Sequence, residues 1–164
     1  PRQRYFVNVA GAGIDAHLLA RLPPGPLRRI AYLWGVVRAL STYQPPWFEV
    51  CADGRRESGR RLLALAGNGS RCGGGMRFAA AARRDDGLLD LVSIEPLSLV
   101  EALPRLVRLF DGRLGEERWA RLDRAATIEL RATPPAPVEA DGQLLGHTPV
   151  RIALLPGAIR VLRG

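Results

Sequence analysis

The sequence predicts a mainly β domain, a sandwich of antiparallel strands that carries two or three helices. Short apolar or alternating stretches recur between turn residues, and 13 prolines and 18 glycines punctuate the 164 residues. This punctuation suits short strands better than a helical bundle. The apolar fraction of 47% is typical of globular proteins. We therefore expect residues 1–164 to form one domain with a substantial hydrophobic core.

The first part of the chain predicts a strand at residues 5–10, a tight turn at residues 11–13 and a helix at residues 14–22. Residues 27–43 form the clearest helix, since apolar side chains recur there at helical spacing. Such a helix either packs on the core or offers a surface to a membrane or an acyl chain. We expect core packing, because tryptophan at such positions usually anchors packing.

The remaining elements are shorter. Residues 47–52 and 61–66 flank an Asp-Gly pair at residues 53–54, which predicts a hairpin with a long or irregular connection. Residues 99–110 predict a helix, with Ser98 as its N-cap and Glu101 three residues on. Further strands are predicted at residues 88–94, 126–132, 138–140, 150–154 and 159–162.

Charge and composition exclude several function classes. All 24 basic residues are arginine, and the absence of lysine excludes a Walker-type lysine and Schiff-base chemistry within this chain. The net charge of +8 would attract an anionic lipid surface. The arginines are scattered and are not interleaved with aromatic residues, so we expect no specific nucleic-acid binding. No apolar run approaches the roughly 20 residues that span a bilayer, and we expect a cytoplasmic protein.

Cysteine and histidine are too sparse for a zinc site. Cys51 and Cys72 lack a CxxC spacing, and only His17 and His147 accompany them. We expect both cysteines to be small, buried apolar residues. The histidines are expected to be structural or surface residues.

The acidic turn, DDGLLD at residues 85–90, lies between a glycine-rich stretch and a predicted strand. A loop that holds two carboxylates can bind a hard cation through oxygen ligands. The same residues also suit an ordinary Asp-Gly turn between two strands. The pattern alone leaves both interpretations open and favours the ordinary turn.

Asp-Gly pairs occur four times, at Asp53, Asp86, Asp111 and Asp141. Because Asp-Gly is preferred in tight turns whatever the function, the pattern alone predicts a turn residue at each position. Asp141 differs only in its context, since it follows VEA and precedes a hairpin-like return strand.

Three motifs occur in order: FVNVAGAGIDAHLL, then GNGSRCGGGM with DDGLLD, then VEADGQLLGHTPVRIALLPGAIRVL. Together they resemble the C-terminal domain of the diacylglycerol kinase catalytic family, the soluble lipid kinases related to sphingosine kinases and bacterial YegS-like proteins. The resemblance covers residues 6–162. Asn8, Gly11, Gly13 and Asp15, spaced N-x-x-G-x-G-x-D, resemble the family's pattern at the structural start of that domain.

The resemblance implies a catalytic role for Asp141, which holds the place of the aspartate in the family's DGE motif. In the family this carboxylate is the general base that accepts the proton of the lipid hydroxyl during γ-phosphoryl transfer. The family's glutamate two residues on is replaced by Gln143, which keeps the hydrogen-bonding reach but loses the charge. A role for this position in tuning Asp141 or steering a cation is therefore open.

The acidic turn corresponds to the family's structural magnesium loop. The resemblance implies that Asp86 offers its carboxylate to Mg²⁺ and that Arg83 and Leu88 offer backbone carbonyls. The family's usual proline just upstream is replaced by the alanine run at residues 79–82, which leaves the rigidity of the loop open.

The glycine-rich stretch has two interpretations. Asn68, Gly73, Gly74 and Gly75 either shape the crevice that faces a nucleotide-binding domain or form a flexible connection between strands.

The function implied is ATP-dependent phosphorylation of a lipid hydroxyl by an enzyme peripheral to the inner membrane face. The family binds ATP with an N-terminal domain that carries a GGDGT-type loop, and these 164 residues contain no such segment. We therefore expect the chain to work with its own N-terminal domain and to be inactive alone.

Two alternatives remain. One is a non-catalytic β-sandwich that binds lipid or a protein partner. The other, the NAD and polyphosphate kinase group, is disfavoured because its diagnostic loop would also lie upstream. Neither the lipid nor the oligomeric state follows from the sequence, and a dimer is compatible with it.

Overall fold

The structure, a computed structural model, describes residues 3–21, 28–72 and 75–159, with residues 28–34 described by their backbone only. The strands are β1 Val9–Gly13, β2 Trp47–Ala52, β3 Arg55–Arg60, β4 Leu63–Gly67, β5 Leu89–Ile94, β6 Ala120–Ala125, β7 Thr127–Thr133, β8 Pro137–Ala140, β9 Gln143–His147 and β10 Val150–Ala153. The helices are α1 Ile14–Leu19, α2 Arg28–Thr42, α3 Leu99–Arg105 and α4 Arg108–Asp111, with a 3-10 turn at Leu114–Glu116.

The strands form two sheets in which every pairing is antiparallel. The larger sheet has the order β6-β5-β4-β1-β8-β9, and the smaller has the order β10-β7-β2-β3. A core of buried side chains from both sheets joins them. The predicted antiparallel sandwich is therefore confirmed.

The core between the sheets combines small and large side chains. Alanines of β1 and β4, such as Ala12 and Ala64, pack in the same cluster as Phe48, Ile128 and Leu130 of the smaller sheet. Interdigitating small and large residues lets the layers approach closely without voids. The packing fixes the two sheets against each other and so positions the loops at their ends.

A second core covers the other face of the larger sheet. Leu65 and Val92 of that sheet pack in it with Ile14 of α1 and Ala39 of α2. Strands β4 and β5 are buried along their whole length. This burial explains why β4 has no polar side chain, whereas β5 buries Asp90 and Ser93 among its apolar residues. The burial of Ala39 supports core packing for the helix predicted at residues 27–43.

The predicted hairpin around residues 53–54 was wrong in its second strand. The partner of β2 is β3, which turns back directly after Gly54, whereas the predicted strand at residues 61–66 is β4 and belongs to the larger sheet. The sequence RRESGR of β3 has no apolar face, so hydrophobic alternation could not reveal this strand. Strand β6 was also missed, because Ala120 and Leu122 share one face but Arg124 on the same face interrupts the apolar alternation.

The predicted turn at residues 11–13 was also wrong, since these residues continue β1. The glycines serve close packing of β1 on β4: a Cβ atom on Gly13 would lie 2.6 Å from the Leu62 carbonyl oxygen, and Gly13 has φ 135°. The helix that follows ends at Leu19, before the predicted end at residue 22, which lies outside the described residues.

The helix predicted at residues 99–110 divides into α3 and α4. Its capping box is confirmed, with the Glu101 N–H donating to Ser98 Oγ at 3.3 Å and the Ser98 N–H donating to Glu101 Oε2 at 2.9 Å. Pro104 lies inside α3 and has no N–H to donate to the preceding turn. The strand predicted at residues 159–162 is not found at residue 159, and residues 160–164 lie outside the described part of the chain.

Candidate functional site

Most of the residues singled out in the sequence lie at one end of the larger sheet. The register pairs Val9 of β1 with Gly67 of β4, and Gly67 in turn with Asp90 of β5. The end of β8 lies beside β1, where Ala140 pairs with Ala10. This end, which we call the site end, therefore brings together Asp141, Asn68 and the acidic turn, although they are far apart in the sequence.

Asp141 occupies the first turn position of the β8–β9 hairpin. Its φ is 46° and that of Gly142 is 80°, a conformation that favours the Asp-Gly pair. Its carboxylate accepts N–H groups from Val7 at 2.7 Å, Asn8 at 3.1 Å and Val9 at 2.9 Å. A carboxylate has about four acceptor positions, so these contacts leave one on Oδ2 for a further donor.

Asn68 holds the same segment from the other side. Its backbone N–H donates to the Asn8 carbonyl at 2.8 Å, and its Nδ2 donates to the Val7 carbonyl at 3.2 Å. The Asn68 Oδ1 atom is buried and has no hydrogen-bond partner within the described residues. Residues 7–9 are thus fixed between Asn68 and Asp141.

Gly75 and Gln143 are two further predicted residues of this region, and both are exposed. Gly75 is exposed with φ 103°, while Gly73 and Gly74 lie outside the described residues. Gln143 is the exposed first residue of β9 and pairs with Ala140.

Glu139, which the sequence did not predict as a site residue, lies beside Asp141, and the buried Asp15 lies close enough to Glu139 to raise its pKa. Glu139 is 7% exposed, and its Oε2 accepts the Gly142 N–H at 2.8 Å. Burial, followed by the nearby Asp15 and Asp141 carboxylates, raises the pKa of Glu139 to about 7. Burial also raises the pKa of Asp15 to about 6, and its Oδ1 is buried with no hydrogen bond to the described residues.

These two acids share their surroundings with other titratable groups. Burial, then Asp15 and Glu139, raises the pKa of the Cys72 thiol to about 12, which keeps it protonated and unreactive. Burial and Asp15 also raise the pKa of Tyr43, whose ring packs edge-on against His17 with centroids 4.9 Å apart. The signals available in the sequence were Asp15, interpreted there as part of the structural start of the domain, and Glu139 in VEADG, to which no role was assigned.

The acidic turn is folded around Asp86. Its Oδ1 accepts the Leu88 N–H at 3.1 Å, whereas its Oδ2 is buried without a hydrogen-bond partner among the described residues. Asp85 and Arg83 are exposed and form an ion pair at 3.4 Å. A buried, unpartnered carboxylate oxygen fits a hard cation, so the residues of the turn suit Mg²⁺. The described residues contain no cluster of three or more His, Cys, Asp or Glu side chains that could hold a metal.

The alanine run at residues 79–82 forms a turn rather than an open loop. The Ala82 N–H donates to the Ala79 carbonyl at 2.9 Å, and Ala79 is 2% exposed and packs in the second core. The run therefore supports the acidic turn by packing.

With this geometry defined, comparison with known proteins becomes informative. Residues 8–163 match the model of the YegS C-terminal NAD kinase beta sandwich-like domain. The chain belongs to this family. It is 32% identical over 161 residues to a "Probable lipid kinase YegS-like" of Chromohalobacter salexigens, covering 94% of this chain and 51% of that protein. It is 30% identical over 164 residues to a diacylglycerol kinase of Mycobacterium tuberculosis, covering 98% of this chain and 53% of that protein.

The fold agrees with solved structures of such enzymes. A crystal structure of a diacylglycerol kinase from Bacillus anthracis superposes with a TM-score of 0.62 at 21% identity, covering 93% of this chain and 47% of that one. The chain spans about half the length of the curated relatives it matches. Among the helices that the structure describes, none is long and apolar enough to cross a membrane.

Proposed function

We propose that this chain is the domain of an ATP-dependent lipid kinase that binds the lipid and supplies the base, and that the enzyme transfers the γ-phosphoryl group of ATP to a lipid hydroxyl. The observation that carries the proposal is the geometry of Asp141, whose carboxylate is held at the site end with one acceptor position left on Oδ2. Membership of a family whose relatives are named lipid and diacylglycerol kinases supports it.

In this proposal, Oδ2 of Asp141 accepts the proton of the lipid hydroxyl while the hydroxyl oxygen attacks the γ-phosphorus. The three N–H groups fix the direction of the carboxylate. A positioned base suffices because phosphoryl transfer depends mainly on positioning and on electrostatic stabilisation. The neutral Gln143 adds no further negative charge next to Asp141.

The rest of the machinery divides between the acidic turn and a nucleotide-binding domain. Mg²⁺ would be held by the Asp86 carboxylate with the backbone carbonyls of Arg83 and Leu88, and would neutralise and stiffen the turn at the site end. ATP would be bound by the enzyme's N-terminal domain, across a crevice bordered by Asn68 and the glycines that follow it. The chain alone would then transfer no phosphate.

Contact with an anionic membrane at the cytoplasmic face is part of the proposal. The net charge is +8, and α3 and α4 expose a row of large apolar side chains. These are Val100, Leu103, Val107 and Phe110. Exposed apolar side chains on short surface helices are suited to shallow insertion among lipid headgroups.

A second candidate is a non-catalytic module that binds lipid or a protein. It is favoured by Asp53, whose carboxylate accepts N–H groups from Ala126 at 2.9 Å and Thr127 at 2.8 Å in a similar turn. Because Asp53 is docked in the same way at the end of another hairpin, the docking of Asp141 alone does not require catalysis.

The test is an assay of the natural full-length polypeptide with labelled ATP, Mg²⁺ and vesicles. The vesicles contain diacylglycerol, monoacylglycerol, phosphatidylglycerol or a sphingoid base. We expect transfer to one of these lipids, and we expect Asp141→Asn to lower the rate at least about 100-fold, as loss of a general base does. The matched control is Asp53→Asn, which changes the equivalent turn and should leave the rate nearly unchanged. Absence of transfer to every lipid, or full activity of Asp141→Asn, would support the binding module instead.

A further inference from the structure

Arg124 lies between Asp86 and Asp90, two of the three acids of the acidic turn. It pairs directly with Asp90 across β5 and β6, and its Nε donates to Asp90 Oδ1 at 3.2 Å. Its Nη2 donates to the Ala81 carbonyl at 3.2 Å, and its Nη1 lies 3.9 Å from Asp86 Oδ2. One guanidinium thus contacts both carboxylates and the backbone of the alanine run.

The guanidinium of Arg124 leaves one oxygen of Asp86 and one of Asp90 without a hydrogen bond. Asp90 is 6% exposed, and its Oδ2, like the Oδ2 of Asp86, is buried without a hydrogen-bond partner among the described residues. The 3.9 Å approach of Nη1 is too long for a hydrogen bond to Asp86. Buried carboxylate oxygens without partners are costly and need an explanation.

The charges point to the missing partner. Two carboxylates and one guanidinium leave a net charge of −1, with one unpartnered oxygen on each acid. A hard cation that accepts oxygen ligands would satisfy both atoms and reverse the sign of the cluster. Asp85 does not need a cation in this way, because its side chain is 64% exposed and paired with Arg83.

We propose that Asp90 is a second carboxylate of the cation site at the acidic turn, and that Arg124 sets the affinity of this site by competing for both carboxylates. The inference rests on the cation site of the proposed function but not on lipid phosphorylation. Its consequence is that the positive charge of Arg124 opposes the cation, because like charges a few ångströms apart repel strongly in a partly buried site.

The test is Mg²⁺ binding by the purified 164-residue chain, measured by isothermal titration calorimetry and by the shift of the unfolding temperature with added MgCl₂. The variants are Arg124→Gln and Asp90→Asn. The matched control is Arg121→Gln, which removes the same charge from the same strand. Arg121 pairs with Glu57 at 2.7 Å, and its side chain is 63% exposed.

We expect Arg124→Gln to tighten Mg²⁺ binding at least about tenfold and Asp90→Asn to weaken it at least about tenfold, with Arg121→Gln within about twofold of the original chain. Circular dichroism shows whether each variant is folded. If Asp90→Asn does not fold, the inference is tested by whether Arg124→Gln tightens Mg²⁺ binding more than Arg121→Gln does.

Three results would overturn the inference. Equal effects of Arg124→Gln and Arg121→Gln would mean that only the overall charge matters. Unchanged affinity in Asp90→Asn would leave Asp86 as the only carboxylate of the site, and the cation site of the proposed function would stand without Asp90. No binding by any variant would remove both this inference and that cation site, whereas the lipid assay of Asp141→Asn would be unaffected.

Discussion

Two hairpin turns of this protein share the sequence Ala-Asp-Gly and nearly the same geometry. Asp53 and Asp141 both have φ 46°, and the glycines that follow have φ 86° and 80°. Each aspartate donates its N–H to a neighbouring strand, to the Thr127 carbonyl at 3.0 Å and to the Val9 carbonyl at 2.9 Å. Each carboxylate accepts N–H groups from that same strand or the residues leading into it. In both turns, therefore, the aspartate binds the end of its hairpin to the neighbouring strand through hydrogen bonds.

The difference lies in the flanking residues. Two positions before the aspartate stands Cys51 in one turn and Glu139 in the other, and two positions after it stands Arg55 or Gln143. The N–H groups of Ala126 and Thr127, with a smaller effect of Arg55, lower the pKa of Asp53. The Asp141 turn instead has the buried Glu139 beside it, whose pKa is raised by burial and by the nearby Asp15. Turn chemistry is common to both, and the acidic surroundings distinguish the candidate site.

Removing the docked carboxylates should show the largest effect. We expect Asp141→Ala to lower the free energy of unfolding by about 4 kcal/mol, because three charge-assisted hydrogen bonds are lost. Asp53→Ala should cost less, since it loses two such bonds. Urea denaturation at pH 7 measures both. The comparison fails if Asp53→Ala is the more destabilising change.

Glu139 should make stability depend on pH between about 4.5 and 7 at the Asp141 turn. Its pKa in the folded state, about 7, lies above its ordinary value of 4.5, so the folded chain retains a proton that the unfolded chain has released between these values. The contribution of Glu139 to the free energy of unfolding is therefore fully present below about pH 4.5 and is lost as the pH rises through 7, by roughly 3 kcal/mol.

Glu139→Gln should abolish this loss, because glutamine keeps an oxygen for the Gly142 N–H without a charge. The variant should be more stable than the original chain at pH 8 and equal to it at pH 4, as measured by urea denaturation at both values. Glu49→Gln, on an exposed position of β2, is the control and should show no such difference. An identical pH profile for the original chain and Glu139→Gln would mean that the buried acid carries no charge cost.

The glycines of the two turns should behave alike, with the smallest effect. A Cβ atom on Gly54 or Gly142 would meet no atom within 4 Å, so only the positive φ opposes a side chain. We expect Gly54→Ala and Gly142→Ala each to cost about 1 kcal/mol. Thermal unfolding of both variants checks this. A clearly larger cost at Gly142 would show that its turn is constrained by more than its backbone conformation.

Elements with a one-sided or continuous apolar pattern could be predicted from the sequence. Strands β2, β5 and β7, the helix α2 and the capping box at Ser98 follow from local spacing and local hydrogen bonds. Strand β3 could not be predicted, because its residues are polar and its pairing with β2 supplies the order. The run at residues 11–13 was assigned to a turn because the close approach of β4 that requires glycine is a long-range contact.

The sequence by itself determined the class of fold, the turns at the Asp-Gly pairs and the family, because these depend on composition, periodicity and the order of short motifs. Only the tertiary structure showed that residues 7–9, Asn68, Asp90 and Asp141 meet at one end of a sheet. It also identified Glu139 and Arg124 as their neighbours, and Asp15 as a neighbour of Glu139. Burial and unpartnered oxygens arise from contacts between residues distant in the chain, and a linear pattern carries no record of them.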